Sequence, residues 1–356
     1  MYGIQELYRP PEGQETEIDI VAVHGLGGGV RRTWTARQNK VCWLEDAEFL
    51  PKYIKNARIL AWGYNASYSS LTGENPSQNR IHDHAHTLVA NLAADRRLNG
   101  TSTKPIIFLC HSLGGIIVKR ALSYAQTRTA HKVSNDRLIF TCTYAVLFFG
   151  TPHHGTSWAN YLTRIKQLGA PAGMKKSDLL GALRLESETL QNITDYFVAL
   201  LPHLRVYFFW EQEPTTVQLA RGAVVRDFVV PKESAAPLHD NTERAGIAAD
   251  HRGMVKFETP QAQGFRLVID ALMRYCEEAP GVVGQRLVDA AKAMEAERRR
   301  EALETLRVYG QAVAAGPGAS GQGVERADAF RSLVTMEERR EMDKEGASLE
   351  RRGGWL

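Results

Sequence analysis

Cysteine is scarce in this chain. Four occur in 356 residues (Cys42, Cys110, Cys142, Cys276), far apart and with no CxxC pair. Such spacing argues against a thiolate zinc site and more strongly against a disulfide framework, and predicts buried free thiols in a reducing compartment. Charge of one sign is also lacking. Lysine and arginine number 44 against 40 aspartates and glutamates, a net +4, so nothing argues for a nucleic-acid partner. The most apolar stretches, 106–110, 116–118 and 145–149, fall well short of the roughly 18 residues that a membrane-spanning helix takes. The acidic opening MYGIQELYRPPEGQETEID offers no apolar run for a secretory signal. There is no internal repeat and no GxxxxGK[ST] phosphate loop. With 44% hydrophobic and 24% charged residues, a mainly disordered or collagen-like chain is excluded.

Short apolar runs punctuate the first 280 residues: Ile18–His24, Arg58–Trp62, Pro105–Cys110, Ala145–Phe149, Leu204–Phe209 and Val224–Val230. Between them lie helical patterns, among them 81–96 and 115–126. Continuous apolar strands separated by helices are the pattern of a parallel sheet covered on both faces. The expectation is a mostly parallel, doubly wound α/β domain over 1–280. From 157 to 201 the periodicity turns helical: Trp158, Tyr161, Leu162, Ile165 and Leu168 share one face, and Leu190, Ile193, Phe197, Leu200 and Leu201 another. That segment reads as a helical cap insertion or as ordinary crossover packing. A last helix over 261–278 is expected to end at Pro280-Gly281. Residues 281–356 are expected to form a charged helical extension with a Gly-rich linker at 316–323, a short charged helix over 324–344 and a flexible tail. Their RRR and RR clusters alternate with glutamates, as on a solvated face.

One segment carries chemistry. In IIFLCHSLGGIIVKRAL (106–122) a strand enters Cys110-His111-Ser112-Leu113-Gly114-Gly115 and passes directly into an amphipathic helix. This is the setting of a nucleophile elbow, where a strained turn projects the Ser112 Oγ above the sheet. Small residues are needed two places to either side, where strand and helix approach closely. Gly114 supplies one, and Cys110 stands where glycine is usual. Acyl transfer also needs two N–H donors aimed at the developing oxyanion. The amide of Leu113 is one candidate. Leu26, in VAVHGLGGG (21–29), is the other, with Gly25 and Gly27 allowing close approach to substrate. The same glycines do not meet the GxGxxG spacing of a dinucleotide site.

In this strand–elbow–helix architecture the chain order is serine, acid, histidine. His251 in AADHRGMVKF follows the last apolar run, and His239 is second choice. The acid would hold the imidazole through Nδ1–H. Glu211 lies just past a strand, with Glu213 close by; Asp227 and Glu233 are weaker candidates. His111, His153 and His154 are expected to line the substrate site, and His24 to shape it or pack. His82, His84 and His86 do not share one helical face, so no metal site is read there.

Taken in order, DIVAVHGLGG, RRTWTA, WLEDAEFLP, ARILAWGYNAS, CHSLGGIIVKRAL, FFGTPHHG, VVPKESA and DHRGMVKF resemble the SesB-like, serine-active-site-containing lipase/esterase family, which is related to GPI inositol-deacylase-like lipases. The resemblance covers about residues 4–275. It implies an α/β-hydrolase fold, with Ser112 as nucleophile, His251 as base and the carboxylate of the Phe-x-Glu segment at Glu211. Cys110 departs from the family's Gly-His-Ser. The implied activity is hydrolysis of carboxylic esters, lipid or phospholipid, with no cofactor. Fungal members often stand at the N-terminus of NLR-like receptors, which implies a catalytically weak signalling module as the alternative, with a protein partner held through 285–345. An intracellular, cytoplasmic location is expected. Animal relatives imply instead peripheral contact with mitochondrial or endoplasmic-reticulum membranes.

Overall fold

The computed structural model describes residues 2–66, 77–130, 134–154, 191–218 and 224–315. Seven strands form the main sheet: β1 (Gly3–Tyr8), β2 (Ile18–Val23), β3 (Ala57–Gly63), β4 (Ile106–His111), β5 (Thr143–Phe149), β6 (Arg205–Glu211) and β9 (Thr242–Ile247). Their spatial order is β1-β3-β2-β4-β5-β6-β9. All neighbours are parallel except β1, which runs antiparallel to β3. This is the α/β-hydrolase fold. Every residue of β2, β3, β4 and β5 is buried, which is why these strands read as unbroken apolar runs. Two helices, Ser77–Leu98 and Leu113–Gln126, pack against each other.

The strand order reverses at β2, whose neighbours are β3 on one side and β4 on the other. In open α/β sheets the crevice beyond the carboxyl ends of the strands flanking such a reversal is the natural site. Here those ends lead into His24–Gly29 and into Ser112. At the amino ends a buried ion cluster ties the sheet to its helices. Asp19 accepts from Arg58 Nε at 2.9 Å, from Arg96 Nη1 at 2.6 Å and from Thr101 Oγ1 at 2.9 Å. Two guanidiniums facing one carboxylate inside a core tolerate loss of that carboxylate poorly.

Three expectations need correction. The run Val224–Val230 does not join the main sheet. Val224–Asp227 is β8, which pairs antiparallel with β7 (Thr215–Gln218), while Val229 and Val230 are buried in the loop that follows. The last sheet strand is β9 instead. It pairs on one side only and is half-buried over its first four residues, so it lacks a continuous apolar run. The helix expected to stop before Pro280 runs unbroken from Gln263 to Ala315. Its apolar face passes the proline: Tyr275, Cys276, Ala279 and Val283 are all buried, and that packing outweighs the missing hydrogen bond.

The chain divides into a unit ending at Leu287 and one beginning at Val288. In the second unit the described residues are helical and carry i,i+3 and i,i+4 ion pairs, Arg300 with Glu297 and Arg299 with Glu295. Of the expected cap, residues 191–198 are helical, and Ile193, Phe197 and Leu200 are buried. Residues 157–190, the linker 316–323 and the helix 324–344 lie outside the described residues. Among the described residues no helix is long and apolar enough to cross a membrane.

Candidate active site

Ser112 sits between β4 and its helix with φ 56° and ψ −123°. A non-glycine residue there is strained by about 1–3 kcal/mol. Neighbouring hydrogen bonds hold it. The Ser112 N–H donates to the Phe149 carbonyl at 2.9 Å, and the Ser112 carbonyl accepts from Gly115 N–H and from Thr151 Oγ1, both at 3.1 Å. A β-carbon on Gly114 would lie 2.7 Å from the His24 carbonyl oxygen, and one on Gly25 would lie 2.7 Å from the Ser112 Cβ. Both glycines are therefore dictated by the closeness of elbow and loop. Cys110 is fully buried, and burial pushes its thiol pKa well up, so it fills the first small position as an inert neutral group.

The strand ends bring three side chains into a row. His251 Nε2 is 3.1 Å from Ser112 Oγ. His251 Nδ1 is 3.4 Å from Glu211 Oε2, a contact somewhat longer than a close hydrogen bond. Glu211 is the last residue of β6, and its Oε1 accepts from the Val230 N–H at 2.8 Å. The buried end of the Val224–Val230 run thus orients the carboxylate. Glu213 is exposed, and its amide is bonded to the Ala249 carbonyl. Asp227 and Glu233 are exposed too, and His239 is tilted toward Phe208 with ring centroids 6.5 Å apart.

The loop after β2 closes the other side. His24 stacks on Tyr64 with centroids 4.5 Å apart, and the Tyr64 hydroxyl donates to the His24 carbonyl at 2.9 Å. Burial lowers the His24 pKa to about 4, so the ring is neutral at physiological pH. Arg32 Nη2 donates to the carbonyls of Gly27 and Gly28. Among the described residues, no backbone carbonyl outside a helix or strand takes up the amide of Leu26 or of Leu113.

Several site residues behave differently from expectation. Ser112, predicted to stand clear of the sheet, is only 2% exposed, and His251 only 1%. The elbow is formed but covered. His153, expected at the rim, is buried edge-on against Phe148 at 4.9 Å and Phe208 at 4.7 Å. The aromatic pair claims it as core. His154 is exposed, and its amide donates to Ser234 Oγ at 3.3 Å. His111 does line a cavity next to the loop, but its ring nitrogen Nε2 lies 2.8 Å from the His251 carbonyl. The histidines at 82, 84 and 86 part company: His82 accepts from Arg120 Nε at 2.6 Å, His84 packs on Tyr64 and His86 on Tyr124.

Two contributors were not read from the sequence. Gly150 has φ 56°, and a β-carbon there would lie 2.9 Å from the His251 ring. Arg32 staples the glycine loop. The signal for Gly150 was a glycine directly after the strand in FFG; for Arg32 no local signal exists.

No family model matches the chain. Protein SERAC1 of Homo sapiens is 26% identical over 253 residues, covering 66% of this chain and 35% of the relative. Protein SERAC1 of Danio rerio is 27% identical over 241 residues, covering 62% and 34%. The chain therefore spans about a third of the length of the curated relatives it matches. Among solved structures, an alpha/beta hydrolase from a metagenome of Mar Chica lagoon sediments is 14% identical, with TM-score 0.40, covering 76% of this chain and 94% of that one. A lipase-esterase related protein of Clostridium acetobutylicum is 11% identical, with TM-score 0.36, covering 76% and 98%.

Proposed function

We propose that the chain is a serine esterase that cleaves carboxylic esters of the lipid or phospholipid class through Ser112, His251 and Glu211. The observation that carries this reading is the row of contacts from Ser112 Oγ to His251 Nε2 at 3.1 Å and from His251 Nδ1 to Glu211 at 3.4 Å. In the first step Nε2 takes the hydroxyl proton as Oγ attacks the ester carbonyl. The carboxylate accepts from Nδ1–H and stabilises the imidazolium. The amides of Leu26 and Leu113 receive the oxyanion, each such donor contributing about 10²–10³ in rate. Nε2–H then protonates the departing alkoxide, the alcohol leaves, and water hydrolyses the acyl-enzyme by the same route. The lipid part of the proposal rests on the family resemblance, as does contact with a membrane surface.

Ser112→Ala should lower hydrolysis of p-nitrophenyl butyrate by several orders of magnitude with the fold intact, on the order of 10⁴ or more for a triad serine. Equal turnover by this variant would sink the proposal. A second reading is favoured by the 2% exposure of Ser112: a signalling module of hydrolase fold with little turnover, whose partner contacts 285–345. A fluorophosphonate probe separates the two. Labelling that Ser112→Ala abolishes belongs to the esterase; no labelling of the native chain belongs to the module.

A further inference from the structure

The outer face of the glycine loop borders a cavity of about 330 Å³, lined by Leu26, Gly27 and His111 together with Arg32, Arg252 and Lys256. Its volume lies at the small end of ligand pockets and suits a charged head on a short stem. Three cations gather there, and none of the three forms an ion pair among the described residues. Glu45 is taken by Arg31 at 2.9 Å, and Asp250 by Arg37 at 3.2 Å. Glu258 keeps its charge and accepts from the amides of Arg37 and Gln38 at 2.8 and 3.0 Å. Arg32 donates to loop carbonyls, and Lys256 Nζ to the carbonyls of Arg32 and Thr35, neutral acceptors that carry no opposing charge. Burial, with Arg37 and Arg32 next in effect and against smaller opposing effects of Cys42 and Asp250, lowers the Lys256 pKa to about 8. An anion in the cavity would relieve that repulsion.

We propose that this cavity is a subsite for an anionic oxygen group, phosphate or carboxylate, carried by the ester that Ser112 cleaves. The proposal rests on the esterase reading. The placement ties the anion to the substrate. His111 immediately precedes the nucleophile, and Leu26 carries one of the amides proposed to receive the oxyanion, so the cavity shares lining residues with the candidate site. Guanidinium groups suit phosphate and carboxylate oxygens through paired N–H donors.

Two matched pairs of esters test it. On the acyl side, p-nitrophenyl butyrate is compared with mono-p-nitrophenyl glutarate; on the alcohol side, 1-butyrylglycerol with 1-butyrylglycerol 3-phosphate. In at least one pair the charged member should have the higher kcat/KM, by about tenfold for a charge-assisted contact. Arg252→Gln should shrink that charged-to-neutral ratio and Arg252→Glu should invert it. A native enzyme that favours the charged member of neither pair, while Ser112→Ala abolishes turnover of the neutral esters, overturns the subsite and leaves the esterase standing. A ratio unmoved by both Arg252 variants overturns it as well. So does inhibition by inorganic phosphate with no ester preference, which would assign the cavity to a free anion. Turnover surviving in Ser112→Ala removes the esterase reading itself.

Discussion

The imidazole of His111 reaches across 2.8 Å from its Nε2 to the backbone carbonyl of His251. A carbonyl only accepts, so Nε2 carries the proton and Nδ1 is bare. Burial, reinforced by the neighbouring His251, holds the His111 pKa well below the usual imidazole range, so the ring stays neutral. The residue before the candidate nucleophile thus anchors the main chain of the residue that would take its proton. His111→Phe should keep the ring volume, lose the bond and lower kcat about 10–100-fold by misplacing His251. His111→Gln, whose amide can donate to the same carbonyl, should recover part of that loss. Steady-state kinetics checks it. A change confined to KM would make His111 a substrate contact and not a positioning residue.

Gly150 abuts the same imidazole. Any β-carbon there would meet the ring at 2.9 Å, and the residue sits at φ 56°. Gly150→Ala should therefore lower kcat/KM by about 10²-fold through displacement of His251. The backbone strain of a left-handed alanine adds about 1–2 kcal/mol of destabilisation. Thermal unfolding together with kcat/KM tests this: a stable variant of full activity would show that the imidazole is not seated on this glycine.

The carboxylate assignment is open to a paired comparison. Glu211 is 3% exposed and faces His251, whereas Glu213 is exposed. Glu211→Gln should cost about 10²–10⁴ in kcat, since an amide cannot stabilise the imidazolium as a carboxylate does. Glu213→Gln should stay near the native rate. The opposite ranking would move the acid two residues along the chain.

The parts of this site that were legible share a cause: they are local. Strand, tight turn and helix follow one another within 106–126, so the elbow could be read from adjacent residues. Glu211 and His251, proposed by chain order after strands and not by local pattern, lie 3.4 Å apart, and the strand before His251 is β9 and not the Val224–Val230 run. Relations made by the fold were not legible. The contact of Gly150 with His251 spans about a hundred residues, and that of His111 with the His251 carbonyl 140. The half-exposed β9 carries no apolar run to announce it. Burial of Ser112 depends on what is packed above the elbow, and no pattern around residue 112 encodes that.

Lys119 gives a prediction about stability. It lies on the helix after the elbow, is fully buried, and donates from Nζ to Thr194 Oγ1 at 3.2 Å between the rings of Phe148 and Phe197. No carboxylate pairs with it among the described residues, and burial lowers its pKa from 10.5 to about 7. The unfolded chain therefore holds this proton between about pH 7 and 10.5 while the folded chain has released it. Where the unfolded state binds more protons, stability rises with pH, here by at most about 1.4 kcal/mol per unit. Below pH 7 both states are charged and the full burial cost remains. Lys119→Met keeps the stem and removes the charge, so it should raise the unfolding free energy most below pH 7, with the gain shrinking steadily toward pH 10.5. Urea unfolding of both chains at pH 6.5, 8 and 9.5 measures this. A gain that does not change with pH would mean that Lys119 does not titrate in the folded core.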